Sequence, residues 1–387
     1  MKKHFDITNN YLVGEAEAVL KKLPSGIYDT CVTSPPYWNL RDYGTATWVG
    51  GSADCDHVKI TSEQIKKQVA TSTIGIYANT GHGLNTQYKH ACPKCGAARI
   101  DFQLGLETTP ELYVKRLVKI LDQVYRVLKP EGTLWLNLGD TYASARSRFS
   151  MTPLAIQSDT ENNGKFGEML NGGKNDLKNH PELKDKDLIG IPWMVAFALR
   201  KRGWYLRQDI IWHKTNAMPE SVKDRCSVAH EYLFLLSKSP KYYFDAEAIT
   251  ELAKGYDGRT DLLMKRSEKY GNNNTSVDGR GSKIKGGHIR WRFNENGEPI
   301  RNKRSVWEVA TKPYNDAHFA TFPPELIAPC IKAGSPKDGI VLDIFGGSGT
   351  TAEVSRKLER NFTLIDLNPV NKSLFEKRLY KELGLFQ

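Results

Sequence analysis

Apolar and polar positions along the chain change period several times, and each change marks an element. Tyr11-Leu12-Val13-Gly14-Glu15 reads as a short strand, a helical pattern runs through Ala18, Val19 and Leu20, and the apolar run Ile27 to Val32 is a second strand. That strand leads into Thr33-Ser34-Pro35-Pro36-Tyr37-Trp38, where adjacent prolines forbid ladder and helix alike and hold an aromatic pair on an extended loop. Thr109 caps a crossover helix with Pro110 at its first position and Glu111 behind it; Leu117, Leu121, Val124 and Leu128 form its buried stripe until Lys129-Pro130 stops it. A strand from Gly132 to Leu138 ends in Gly139-Asp140, a helix covers Trp193 to Leu199, and strands are expected over Gln208 to His213 and Glu231 to Ser237. The last part repeats the pattern: strand Gly339 to Asp343, a Gly-rich turn, helix Thr350 to Leu358, strand Phe362 to Asp366 and a helix from Pro369. Such alternation predicts an α/β core.

Three stretches break the pattern. Residues 39–102 are polar in the middle and carry Cys55, His57, Cys92 and Cys95, as an inserted, metal-stapled excursion would. Ser144 to Asp187 is Gly/Asn-rich and reads as a loop over the substrate. Residues 251–305 hold 13 Lys+Arg against 7 Asp+Glu, leaving +6 in 55 residues, with Tyr256, Tyr270, Trp291 and Phe293 interleaved. Such a segment can pair with phosphates and face bases, although a solvated loop has the same look.

Overall charge points the same way: 55 Lys+Arg against 44 Asp+Glu leave +11, which favours a polyanionic partner without requiring one. At 387 residues the chain has room for two or three domains, or for one core with insertions. No apolar run reaches the ~18 residues of a membrane helix. The richest, Leu188 to Leu199, contains Pro192 and is flanked by Arg200, Lys201 and Arg202, so a core helix is expected and no membrane partner. Met1-Lys2-Lys3 is followed by His4, Phe5 and Asp6 instead of an apolar signal core, which makes the cytoplasm the default location for the six cysteines.

Chemistry concentrates in two loops. Asp343-Ile344-Phe345-Gly346-Gly347-Ser348-Gly349-Thr350-Thr351 follows an apolar strand and opens a helix, and glycines there allow close backbone approach to a cofactor. Asp366 closes the next strand 23 positions later, the spacing at which ribose hydroxyls are gripped. Ser34-Pro35-Pro36-Tyr37 suits an exocyclic amine, whose nitrogen is conjugated and weakly nucleophilic. A hydroxyl oxygen and a prolyl carbonyl can accept its protons, Tyr37 offers a stacking face for an extruded base, and Trp38 can brace it. Cys55, His57, Cys92 and Cys95 supply two close ligand pairs for a structural, four-coordinate zinc, with Gly96 freeing the turn. His57 is the weakest member, and His82 or His90 could replace it. Cys330 follows Pro329, as a cytosine-C5 nucleophile would, but sits in the apolar Leu326 to Ile331 helix, where a buried structural thiol is expected.

Thr33 to Trp38 and Asp343 to Thr351 together resemble motifs IV and I of the amino-group DNA methyltransferases, and their order resembles that of the permuted β group. Ile210 to Arg225 and Glu231 to Phe244 look like the family's late strands, and His318-Phe319-Ala320-Thr321-Phe322-Pro323 looks like motif X. The resemblance implies a permuted Rossmann-like α/β fold with a mostly parallel, seven-stranded sheet, in which the strands ending at Val32 and Asp343 lie side by side. It implies a catalytic core of residues 1–38, 103–250 and 306–387, a zinc-binding insertion over 39–102 and a basic target-recognition region over 251–305. The implied cofactor is S-adenosylmethionine, held by Asp343, Phe345, Gly346, Gly347, Gly349 and Thr350, by Asp366, Leu367 and Asn368, by Thr33, and by His318, Phe319 and Thr321. Glu15 stands where the family often has Asp near the adenine ring.

Catalysis would then fall to Ser34, Pro35, Pro36 and Tyr37, transferring a methyl group to a flipped base in double-stranded DNA. Ser in place of Asp before Pro-Pro-Tyr, with Trp after it, resembles the N4-cytosine branch; N6-adenine is the alternative. A reading of another class is a catalytically silent nucleic-acid-binding protein, against which both loops stand intact. The resemblance further implies a prokaryotic or phage source, and leaves open a cognate restriction endonuclease and a homodimer as partners.

Overall fold

The computed structural model describes residues 8–40, 43–57, 91–143, 180–253, 276–277, 283–284, 292–312 and 322–382. Strands, in chain order, are β1 (Asn10–Val13), β2 (Tyr28–Thr33), β3 (Thr47–Val49), β4 (Ala98–Ile100), β5 (Leu128–Leu138), β6 (Tyr205–His213), β7 (His230–Ser237), β8 (Glu251–Leu252), β9 (Ser276–Val277), β10 (Lys283–Ile284), β11 (Arg292–Phe293), β12 (Pro299–Arg301), β13 (Val306–Glu308), β14 (Ile340–Asp343) and β15 (Asn361–Asp366). Helices are α1 (Ala16–Leu20), α2 (Pro110–Val127), α3 (Ile191–Lys201), α4 (Pro324–Gly334), α5 (Thr350–Lys357) and α6 (Pro369–Glu382).

The main sheet has the order β1-β15-β14-β2-β5-β7-β6-β13. Only β7 is antiparallel to its neighbours, β5 and β6. The sheet therefore has eight strands where seven are expected, because the short β13 pairs in parallel with β6 and closes that edge. As expected, β2 and β14 are adjacent and parallel, and β1 pairs with β15 at the far edge.

Period-two alternation sends side chains to two apolar layers. Cys31, Leu134, Leu136 and Leu342 face the layer built with α2 and α3, whereas Val32, Trp135 and Val341 face the layer built with α4 and α5. Thr109 Oγ1 accepts from Leu112 N and caps α2, with Pro110 in the first turn. Lys129-Pro130 ends the helix but does not delay the next strand, which begins at Leu128, already paired with Tyr28, and carries Pro130 through a register shift before pairing with β2 resumes at Thr133. The late strands are shorter than the stretches they resemble: β6 ends at His213 and β7 at Ser237.

The breaks in periodicity are not structureless. β3 and β4 form an antiparallel pair, and β11, β12 and β8 form a three-stranded antiparallel sheet. Within this sheet's surroundings Arg292 pairs with Glu247, while Arg301 and Arg304 share Glu251, so these three cations already have carboxylate partners. Phe293 is exposed; Tyr256, Tyr270, Trp291 and the greater part of the expected substrate loop, residues 144–179, lie outside the described residues. No described helix is long and apolar enough to cross a membrane.

Candidate active site

β2, β5, β6, β14 and β15 all deliver their carboxyl ends to one edge of the sheet, where a cleft of about 680 Å³ opens. Both sequence-predicted loops line it: Ser34, Pro35, Pro36 and Tyr37 on one side, Asp343, Phe345, Gly346, Gly347 and Thr350 on the other. Glu15, Asp366, Leu367 and Asn368 complete the second wall. His318, Phe319 and Thr321 lie outside the described residues, although Phe322 beside them lines the cleft.

The Gly-rich turn is built around two carboxylates. Asp343 is buried and accepts from Thr33 Oγ1 (2.7 Å), Thr351 Oγ1 (2.6 Å) and the Phe345 N–H (3.1 Å). Thr33 thus acts from behind the cleft, joining β2 to β14. Burial pushes the Asp343 carboxyl up to about 6 despite these three donors, so a cationic ligand nearby would be welcome. Asp366 accepts from the Gly347 N–H, the Asn368 N–H and Asn371 Nδ2, and burial raises its carboxyl too. Gly349 has φ +85° and a Cβ there would lie 2.6 Å from the Phe375 ring, so both backbone and space demand glycine. Arg378 of α6 bonds the Ser348 and Thr350 hydroxyls and pins the turn from outside, a contact no local pattern announces. Glu15 caps α1, its two oxygens accepting from the Glu17 and Ala18 N–H groups.

The Ser34 loop is clamped at several points. Trp38 is buried and its Nε1 donates to the Glu107 carbonyl, so it anchors the loop to the core instead of stacking on Tyr37. Asn39 N donates to the Gly105 carbonyl, and a Cβ on Gly105 would lie 2.8 Å from the Tyr37 carbonyl oxygen. Tyr113 OH donates to the Pro36 carbonyl at 3.0 Å, whereas among the described residues none donates to that of Pro35. Burial, with Glu231 second, pushes the Tyr37 phenol well above its usual range and keeps it protonated. Its ring lies against Gly139, where a Cβ would be 2.6 Å from Cε2.

Three polar residues in this wall, Asn137, Lys214 and Glu231, were not singled out by the sequence. Tyr37 OH donates to Glu231 Oε2 (2.5 Å) and lies 3.1 Å from Asn137 Oδ1, and Lys214 Nζ donates to Glu231 Oε1 (2.5 Å). Asn137 and Lys214 sit at the ends of β5 and β6; Glu231 reaches the same edge because β7 runs the opposite way and brings its amino end there.

Apart from the cleft, Cys55, His57, Cys92 and Cys95 converge with their ligand atoms all within 4.8 Å of one another. The Cys55–Cys92 sulfur separation and the Cys95 Sγ to His57 Nδ1 separation are both 3.6 Å. A tetrahedron with zinc–ligand bonds of about 2.0–2.3 Å has edges of roughly 3.3–3.8 Å, so the donor set fits that ion. Gly96 takes φ +74° in the turn, and the Trp48 ring stacks on His57 at 4.4 Å, which orients the histidine. His82 and His90 lie outside the described residues. Cys330 is buried in α4, its thiol donating to the Leu326 carbonyl and pushed up by burial, as expected of a structural cysteine.

Comparison with known proteins adds the following. The family model for N6/N4 DNA methylases matches residues 28–377. The Type II methyltransferase M.Cfr9I of Citrobacter freundii is 37% identical over 377 residues, covering 95% of this chain and 87% of its own. M.XycI of Xanthomonas campestris pv. cyanopsidis is 36% identical, covering 95% and 86%. M.SmaI of Serratia marcescens is 35% identical, covering 96% and 90%.

Proposed function

Because the chain belongs to the N6/N4 family of DNA methylases, we propose that it is a site-specific DNA methyltransferase that methylates the exocyclic N4 amine of cytosine in double-stranded DNA after flipping the base. The observation that carries this reading is the single cleft in which the Ser34-Pro35-Pro36-Tyr37 loop faces the glycine-lined turn after Asp343. Methyl donor and amine are brought to one place by strand adjacency alone.

The residues fit S-adenosylmethionine: turn glycines let the backbone approach, and the Asp343 and Asp366 carboxylates suit a ligand carrying positive charge. Bound there, this cofactor supplies a methyl group on a sulfonium, an electrophile that needs no further activation. Ser34 Oγ and the Pro35 carbonyl accept the amine's two protons and turn its lone pair toward the methyl carbon. Methylation would leave the amine with one proton too many, which would pass to solvent water on the side of those two acceptors. Tyr37 backs the flipped base. The loop holds no thiol, so no covalent protein intermediate is formed.

Residues 39–102 form, in this reading, an insertion stapled by a structural zinc on Cys55, His57, Cys92 and Cys95; four protein ligands leave that ion no open position. Residues 251–305 serve target recognition, and the rest of the chain is the catalytic core. The relatives are named Type II methyltransferases, and a cognate restriction endonuclease as partner is part of the proposal.

Nucleoside mass spectrometry of DNA from an expressing cell tests the assignment. N4-methylcytosine is expected. N6-methyladenine alone would move the target base and leave the mechanism standing; 5-methylcytosine would overturn both, because ring-carbon methylation needs a nucleophilic thiol.

A further inference from the structure

A serine hydroxyl can accept a hydrogen bond or donate one, and only the first serves an amine that must keep its lone pair free. If the Ser34 proton pointed into the cleft it would compete for that lone pair. What surrounds Ser34 therefore matters as much as its presence.

Ser34 Oγ lies 3.5 Å from Tyr37 OH. The phenol has one proton, and its nearest acceptor is the charged Glu231 Oε2 at 2.5 Å. With that proton committed, Tyr37 can only accept from Ser34. Glu231 is itself held from two sides: Lys214 Nζ donates to Oε1, and Asn137 Nδ2 donates to Oε2 at 3.0 Å while also reaching the Tyr232 carbonyl at 3.2 Å. Every donor in the chain points the same way, from Ser34 through Tyr37 to Glu231. Lys214 neutralises the charge on which the row ends, and lies over the Trp212 ring at 5.0 Å.

Resting on the amine-methylation reading above, we propose that Glu231, held by Lys214, is a positioning residue that directs the catalytic loop's hydrogen bonds and makes Ser34 an acceptor toward the substrate. It acts through Tyr37 and does not touch the base.

Glu231→Gln keeps the shape but lets the amide donate to the phenol, so that the Tyr37 proton is shared between Asn137 Oδ1 at 3.1 Å and Ser34 Oγ at 3.5 Å and the Ser34 proton is freed to turn toward the cleft. Turnover on plasmid DNA grown in a host without amino-methylation should fall about 10- to 100-fold, the equivalent of one charged hydrogen bond. KM for DNA and calorimetric affinity for S-adenosylmethionine should stay within about twofold, which also certifies the fold. Tyr37→Phe, which keeps the ring, should lose turnover similarly, and the double variant should be no worse than the poorer single one. Should Glu231→Gln fail to fold, Tyr37→Phe carries the test alone, because it removes the acceptor of the Ser34 proton whatever stands at position 231. Additive losses, a loss residing in KM or cofactor affinity, or full activity in the single variants would overturn the proposal while wild-type product still upheld the reaction. Wild-type protein yielding no methylated amine would instead overturn the reading beneath it.

Discussion

The two walls of the cleft are built by different kinds of contact. On the cofactor side most partners within the turn are close along the chain, Asp343 bonding Thr351 eight positions on and Asp366 holding Gly347 nineteen positions back, with Thr33 of β2 the distant exception. On the target side Tyr37 meets Asn137 at a separation of 100 residues and Glu231 at 194. The core of the first wall is therefore a local strand-turn-helix motif, tied to the rest of the sheet through Thr33. The second exists only once the sheet has assembled, and its chemistry depends on β7 running against its neighbours.

If that contrast is right, substitutions on the two walls should separate binding from turnover. Ser34→Ala should show the largest effect, lowering kcat on the order of 10²-fold while calorimetry finds cofactor affinity nearly unchanged. A matching loss of affinity would mean that the walls are not separable. Asp366→Ala should do the reverse, losing charge-assisted hydrogen bonds of roughly 1.5 to 3 kcal/mol and about 10- to 100-fold in S-adenosylmethionine affinity. Tyr37→Ala should depress turnover through lost stacking, about 1–3 kcal/mol, and a mismatch at the target base should restore part of it because an unpaired base is cheaper to extrude.

Two further measurements probe what supports the walls. Elemental analysis should find one zinc per chain, and Cys92→Ser with Cys95→Ser should remove it and hasten proteolysis within 39–102 before the core is cut; metal-free, fully active protein would leave only free thiols there. The second measurement concerns pH. Asp343 titrates near 6 in the folded chain and near 3.9 unfolded, so between those values the folded state holds a proton the unfolded chain lacks. Its contribution to stability is present at low pH and is lost as pH rises through 6. Without cofactor, Asp343→Asn should gain on the wild type in unfolding free energy between pH 4.5 and 7.5, by on the order of 2–3 kcal/mol at most, read from denaturant titrations at each pH. An unchanged difference across that range would place the titration elsewhere.

Legibility followed the same division. The alternation that sends Cys31 and Val32 to opposite layers, the Thr109-Pro110 start of α2 and the glycines after Asp343 are short-range matters, and all of them can be read along the chain. The Ser34 loop announces itself by its prolines. Trp38 reads as a brace beside Tyr37, but what fixes it, burial and a hydrogen bond from its indole to the Glu107 carbonyl, appears only in the fold. The arginines of 292–304 look like free phosphate ligands until folding sets Glu247 and Glu251 against them.

By itself, then, the sequence determined most of the strand and helix pattern, the two loops at strand ends and the three clustered cysteines, because sterics, periodicity and spacing act over a few residues, while it left open which histidine joins those cysteines. Only the tertiary structure decided that β13 closes the sheet as an eighth strand, that Arg378 pins the Gly-rich turn, and that Lys214, Glu231 and Asn137 stand behind Tyr37. A lysine at one strand's end and a glutamate near another's start carry no mark of each other. Their relation comes into being when an antiparallel strand in a mostly parallel sheet brings an amino end to the edge where its neighbours deliver carboxyl ends.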